Sequence, residues 1–335
     1  MLVAFFIRHF TERGTEVSIY DYAHFNETIL GNKSVIVCFT PEAQERHKLP
    51  SMRNSYKKFA DRFPILEIEG FHEMPHFIQS VGLDFFYTQT YGGYGDIYNF
   101  NNRNIWVPPC KTIKHCVFNT DGPEADFYIS IGKCNDPHNR YLTIPYISYL
   151  PPVSGNMRAE LGIPENALVF GRHGGLDQFD IEFVKTAIKN ILKERDDIYF
   201  VFLNTAVFHT HPHIIYLDAN TNMEYKVRFI NTCDAMIHAR SMGETFGAAV
   251  SEFSFMNKPV FTSTLGGGDK EHIRILGERA VIYQDYDDLM DKFARGREIV
   301  NSRAGDWYAY QDYSPEKVME LFRTHIFEVG AARVI

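Results

Sequence analysis

The stretch from Ser241 to Val260 holds the residues best placed to do chemistry. It reads as the end of a strand, Met236-Ile-His-Ala-Arg240, then a tight glycine loop, then a helix opening near Phe246. Amides of Phe246, Gly247 and Ala248 at that opening would face outward, where the helix dipole favours an anion such as phosphate. Gly247 lets a phosphate approach the backbone closely. Glu244 precedes the helix and Glu252 lies two turns into it. A carboxylate can accept two vicinal sugar hydroxyls at once, each charge-assisted bond contributing ~1.5–3 kcal/mol. The competing reading makes Glu244 a cap and Glu252 a solvated surface residue.

Other spacings point elsewhere and carry less. His209, His211 and His213 alternate, so on a strand three imidazoles would share a face. Pro212 and a position between two strands suit an exposed loop better. Asp285-Tyr-Asp287 has the form of a metal-holding pair but precedes a helix near Asp288, where capping accounts for it. Arg46 to Arg53, with Lys57, Lys58 and Arg62, is the basic cluster of the chain. It suits peripheral contact with an anionic membrane or an acidic acceptor, or a solvated helix face diluted by Glu42, Glu45 and Asp61. Tyr91-Gly-Gly-Tyr-Gly-Asp96 is a glycine-rich loop that lines a cleft or simply turns.

The elements that must position these residues alternate. Expected strands in the first half are Leu2–Ile7, Glu16–Asp21, Lys33–Phe39, Ile65–Glu69, Leu83–Gln89, Lys111–Val117 and Asp126–Ile131, with room for crossover helices between them. Pro145–Pro152 reads as a stiff linker. A short helix at Asn156–Leu161 follows. Further strands are expected at Leu168–Gly171, Ile198–Leu203, Ile214–Leu217, Ala235–Ala239, Pro259–Thr262 and Ala280–Tyr283. Val184, Ala187, Ile188, Ile191 and Leu192 recur at helical spacing, with Asp180 as the expected cap. Ser314-Pro-Glu-Lys opens a final helix to about Ile326. Such alternation predicts α/β architecture: two Rossmann-like, doubly wound domains with a ligand cleft between them.

Composition agrees. The chain has 335 residues, enough for two domains of roughly 150 residues each. Hydrophobic residues at 45% exclude a largely disordered chain. A net charge of -8 argues against nucleic acid as a partner. Aromatics at 15% fill cores, and a carbohydrate-handling protein also has use for their faces. No apolar run approaches the ~18 residues of a membrane span. Five cysteines without a CxxC pair fit a reducing cytoplasm better than a disulfide framework.

Glu244, Phe246-Gly247, Glu252 and Pro259-Val260 fall in the register of a signature found in retaining glycosyltransferases of family four, which have GT-B architecture. Gly267-Gly-Asp-Lys-Glu271 resembles that family's Gly-Gly-x-x-Glu loop, and Val169-Phe-Gly171-Arg172 its strand ending in Gly-Arg. The resemblance covers residues 160–300. It implies an acceptor domain at 1–150, a nucleotide-sugar domain at 151–305 and a segment at 306–335 that returns to the first domain. It also implies roles. Arg172 would bind the donor diphosphate, Glu252 the ribose hydroxyls and Glu244 the transferred sugar, while the amides of Phe246, Gly247 and Ala248 cradle phosphate. Lys114-His115 resembles a loop whose histidine lies over the donor sugar, although His115 equally suits a partly buried strand end. Phe10 to Val17 resembles a helix end and second strand, with Gly14 between.

The implied reaction moves a hexose from a GDP-mannose or UDP-glucose type donor to a glycan or other hydroxyl acceptor. It needs no metal and no cofactor besides the donor substrate. One departure stands out: Asp177 occupies the place of a lysine expected five residues after Arg172. Alternatives are a nucleotide-sugar epimerase or hydrolase, and a non-catalytic binding protein of the same fold.

Overall fold

The computed structural model describes residues 1–11, 14–266 and 269–329. The chain divides into two compact units, Met1–Ile147 with the segment from Asp312 onward, and Ser148–Gln311.

The first unit is built on seven parallel strands, β1 (Leu2–Ile7), β2 (Lys33–Phe39), β3 (Ile65–Ile68), β4 (Phe85–Thr90), β5 (Lys111–Cys116), β6 (Phe127–Ser130) and β7 (Leu142–Thr143), in the order β3-β2-β1-β4-β5-β6-β7. β1 is central, pairing Val3 with both Ser34 and Phe85. Its continuous apolar run is explained by burial on both faces. On one face Phe6 meets Phe39 and Tyr98 edge-on, within a cluster that includes Phe71, Phe86, Phe100 and Trp106. Edge-to-face pairs add ~0.5–1.5 kcal/mol beyond area burial, so much of the aromatic content is spent here. Short helices α2 (Pro41–Arg46), α3 (Arg53–Ala60) and α4 (Met74–Phe77) lie between strands of this half. On the opposite face Phe5 packs on Tyr87, and Tyr22 of helix α1 (Gly14–Thr28) on Tyr87 and Phe322.

The segment expected as a strand at Glu16–Asp21 is therefore helix, and Gly14 opens it rather than closing a preceding one. Its buried side includes Glu16, Ser18 and Asn26 as well as Ile19, Tyr22 and Ala23. Those polar residues blur the helical period. Each is satisfied: Glu16 by Thr11 and Thr15, Ser18 by Gln89, Asn26 by Ser34.

The second unit carries β8 (Leu168–His173), β9 (Ile198–Leu203), β10 (Ile214–Leu217), β11 (Ala235–Ile237), β13 (Val260–Ser263) and β15 (Ala280–Tyr283) in the order β10-β9-β8-β11-β13-β15, all parallel. β12 (Gly243–Glu244) and β14 (Asp269–Lys270) form a separate two-stranded bridge that periodicity gave no hint of. On one face, helix α5 (Glu182–Glu194) buries the five apolar residues read from its spacing and packs with α9 (Tyr286–Ala294) over Phe170, Phe200 and Phe261. α6 (Met223–Thr232) and α7 (Ala248–Phe255) cover the other face. Helices α8 (Glu271–Leu276) and α10 (Gly296–Ser302) complete this unit.

Asn156–Leu161 forms turns, not a helix. Ser314 caps α11 (Pro315–Phe322) as expected, with Pro315 first, and Asp285 caps α9. Asp180 does not cap α5, whose N-cap is Ile181. Its carboxylate instead accepts from the Ser241 amide and hydroxyl, both at 2.7 Å.

Candidate active site

The strand order of the second unit reverses between β8 and β11, and doubly wound sheets open a crevice at the carboxyl ends of such strands. β8 ends there in Gly171-Arg172-His173. Successive strand side chains point to opposite faces, so Gly171 and His173 look toward α6 and α7. A β-carbon on Gly171 would lie 2.3 Å from Cys233 Sγ and 3.0 Å from Phe253, so these helices close onto the strand only because it is glycine.

Beyond that contact His173 Nε2 lies 2.9 Å from Glu252 Oε2, while Lys226 Nζ donates to Glu252 Oε1 at 2.7 Å. Glu252 is buried in the second turn of α7, not a solvated surface residue. Burial alone would raise its pKa, but the Lys226 ammonium and His173 outweigh that and hold it at about 2. Burial lowers the pKa of His173 despite the neighbouring carboxylate.

Arg172, on the other face, is buried. Its Nη1 donates to the Asn204 carbonyl at 3.0 Å and Thr205 Oγ1 at 2.5 Å, and its Nη2 to the Gly175 carbonyl at 2.8 Å. Burial lowers its pKa to about 10, with Glu244 opposing and Arg240 assisting. The guanidinium stays charged at neutral pH and feels Glu244 directly. Asp177 sits exposed in the following turn.

Glu244 is in the bridge strand β12, ahead of the helix, so it and Glu252 do not share one helix face. Arg240 Nη1 donates to Glu244 Oε2 at 2.7 Å, and His238 Nε2 lies 3.4 Å from Oε1. Burial pushes the Glu244 pKa up, but His238 and Arg240 bring it to about 2. Behind it runs a buried chain: His238 Nδ1 is 2.9 Å from Thr262 Oγ1, which is 3.1 Å from His272 Nε2. Burial keeps His272 neutral, with a pKa of about 3.

Between the two carboxylates stands the α7 opening. It begins at Ala248, two residues later than expected, with Gly247 as N-cap at a φ of 80° that favours glycine. The Phe246 ring is a buried anchor, edge-on to Tyr310, whose hydroxyl donates to the Phe246 carbonyl. Of the Gly267–Glu271 loop, Gly267 and Gly268 lie outside the described residues. Asp269 and Lys270 form β14, pairing with Gly243 and Glu244.

Arg172, Glu244, Glu252, Gly247 and Ala248 thus gather at one sheet edge. His115 lies buried in the first unit, Nδ1 at 2.8 Å from the Tyr87 hydroxyl and Nε2 at 2.8 Å from the Ile144 carbonyl, and burial drops its pKa to about 3. Sequence reasoning missed His173, Lys226, Arg240, His238, Thr262 and His272. Arg240 carried a signal, four residues before Glu244. Lys226 carried none, because only the packing of α6 brings it to Glu252.

No protein-family model matches the chain, and no curated protein matches it. Solved structures do. A glycosyltransferase from Rickettsia africae is similar at 12% identity and a TM-score of 0.64, covering 99% of this chain and 98% of its own. Anabaena HepE in complex with UDP is similar at 12% identity and a TM-score of 0.64, covering 99% and 100%. MnaA from S. aureus with UDP follows at 11% identity and a TM-score of 0.60, covering 100% and 98%. The fold is therefore GT-B, with two Rossmann-like doubly wound units in one chain.

Proposed function

We propose that this chain is a retaining, metal-independent glycosyltransferase that moves a hexose from a nucleoside-diphosphate sugar to a hydroxyl of a glycan acceptor. One observation carries the reading. Glu252 is a buried carboxylate kept ionised by Lys226 and His173 beside the strand-order reversal. An ionised carboxylate offers about four acceptor positions. Lys226 takes one of them, and others remain for a pair of ribose hydroxyls. The HepE structures hold UDP and UDP-glucose, which favours a UDP-sugar over a GDP-sugar as donor.

Arg172 and the Gly247-Ala248 helix opening receive the diphosphate. Transfer leaves a nucleoside diphosphate whose charge grows as the glycosidic bond breaks. Removing one such electrostatic donor typically costs ~2.7–4 kcal/mol of barrier. Arg240 and Lys226 supply positive charge that Asp177 does not. Glu244, fixed by Arg240 and His238, accepts the hydroxyls of the sugar. Retention follows the family resemblance: acceptor and leaving group share one face, and the departing phosphate takes the acceptor proton.

Thermal unfolding with and without UDP, UDP-glucose and GDP-mannose tests the reading. A ligand at 100 times its Kd stabilises by ~2.7 kcal/mol, and Glu252→Gln should abolish the response. A flat response of the unmodified protein to all three rejects the reading. An epimerised or free hexose formed without acceptor would move it to the epimerase or hydrolase alternative.

A further inference from the structure

The loops after β4 and β5 leave the first sheet at its carboxyl edge, where this unit's strand order also reverses, between β1 and β4. They are fastened to each other. The Phe118 and Asn119 amides both donate to the Tyr91 carbonyl, and the Gly122 amide to the Gly92 carbonyl. Gly92, at a φ of 108°, lies so near that a β-carbon there would stand 1.7 Å from the Asn119 carbonyl oxygen. Beneath them is Lys114, a lysine with no exposed surface. Its ammonium donates to the Gly93 carbonyl at 3.0 Å and the Gly122 carbonyl at 3.2 Å, and pairs with Asp96 at 2.8 Å. Glu124 is 4.0 Å away. Burying an ammonium is costly unless it is paired and hydrogen-bonded.

This expensive foundation displays aromatic rings to solvent. Tyr91 is 65% exposed, Tyr94 73% and Phe118 37%. Tyr91 and Phe118 stack at 5.2 Å with 30° between planes, which leaves an outer ring face. In the same loop as Phe118, Asn119 is partly exposed, its side-chain oxygen accepting from the Asp121 amide, and Asp121 is exposed. Rings borne on a loop that also carries a carboxylate and an amide suit a pyranose, whose C–H face stacks while its hydroxyls find acceptors and donors. Asp121 and the chain's net charge of -8 disfavour an anionic lipid surface.

We propose that Tyr91, Tyr94 and Phe118 form a stacking platform for a sugar ring of the glycan acceptor. Naming that sugar the acceptor rests on the transferase reading; the platform itself does not.

The full chain, fluorescently labelled, is applied to a printed array of bacterial, plant and animal glycans. Retention of at least one glycan class is expected. Tyr91→Ala and Tyr94→Ala should each weaken it about ten-fold or more, while Tyr91→Phe retains it. UDP stabilisation should be the same in all three variants, so a lost nucleotide response separates failure of the transferase reading from failure of the platform. An array that retains nothing, or glycan binding indifferent to both alanine variants, overturns the proposal. So does Tyr94-dependent sedimentation with phosphatidylcholine–phosphatidylglycerol vesicles in the absence of glycan binding.

Discussion

The two sheets run through the same strand order, 3-2-1-4-5-6 from one edge, and yet their carboxyl edges carry opposite materials. In the second unit the edge is charge: two carboxylates, each held near a pKa of 2 by a cation and a histidine. In the first, the charge is sunk as Lys114 and the edge shows rings. Their histidines differ in the same way. His115 is closed on both nitrogens by a tyrosine and a carbonyl, whereas His238 passes from Thr262 to Glu244. One backbone plan therefore serves two chemistries, and the residues just past the strand ends choose between them.

The sharpest way to break this contrast is to remove the charge from the second edge. Glu252→Gln should destabilise the protein by about 1–3 kcal/mol, because the part-buried Lys226 ammonium loses its counter-charge. Lys226→Met added to it should recover most of that stability without recovering the UDP response. Urea titrations read the first quantity and thermal shift the second. Equal losses in single and double variants would mean that the pair is not coupled.

Acid should act in two stages. His115 and His272 stay neutral in the folded protein, with burial lowering both from 6.5 to about 3. The unfolded chain binds those protons first, so stability falls as pH drops below 6.5. Glu244 and Glu252 are depressed from 4.5 to about 2, so their contribution is complete above pH 4.5 and is lost as pH falls toward 2. Urea midpoints should decline from pH 6.5 and steepen below pH 4.5. A midpoint level from pH 7 to pH 3 contradicts this.

Thr262→Val removes the hydroxyl between the two histidines and releases His238 from its tautomer. Turnover should fall about ten-fold, the size typical of losing a group that orients an active side chain. UDP affinity should hold, and Thr262→Ser should restore the rate. The smallest effect belongs to Asp177→Lys. An added exposed cation contributes about 0–1 kcal/mol, so UDP should bind a few-fold more tightly at most, and less so in high salt.

The sequence already indicated much of this contrast where period and motif coincide. Strands such as Leu2–Ile7 and Ile198–Leu203 are continuous apolar runs because both faces are covered. Glu244 and Glu252 stood out on either side of a glycine turn, and Arg172 came from the family resemblance alone. What escaped was whatever depends on non-local packing. Helix α1 hid behind buried polar residues, and Lys226 reached Glu252 from another helix. Asp180 looked like a cap and proved to be a tether for Ser241, because the better hydrogen-bond donors lay sixty-one positions away. Lys114-His115 offered functional residue types, but their strand is sealed.

The Tyr310 hydroxyl reaches back to the Phe246 carbonyl, and Ser254 of α7 is bonded to both Trp307 and Ala309. The segment trailing α10 is thus a buttress for the turn that opens α7. A truncated second unit that stopped near residue 305 would keep every strand of its sheet yet lose the brace behind its anion-facing turn. Anyone dissecting the molecule should cut beyond Gln311.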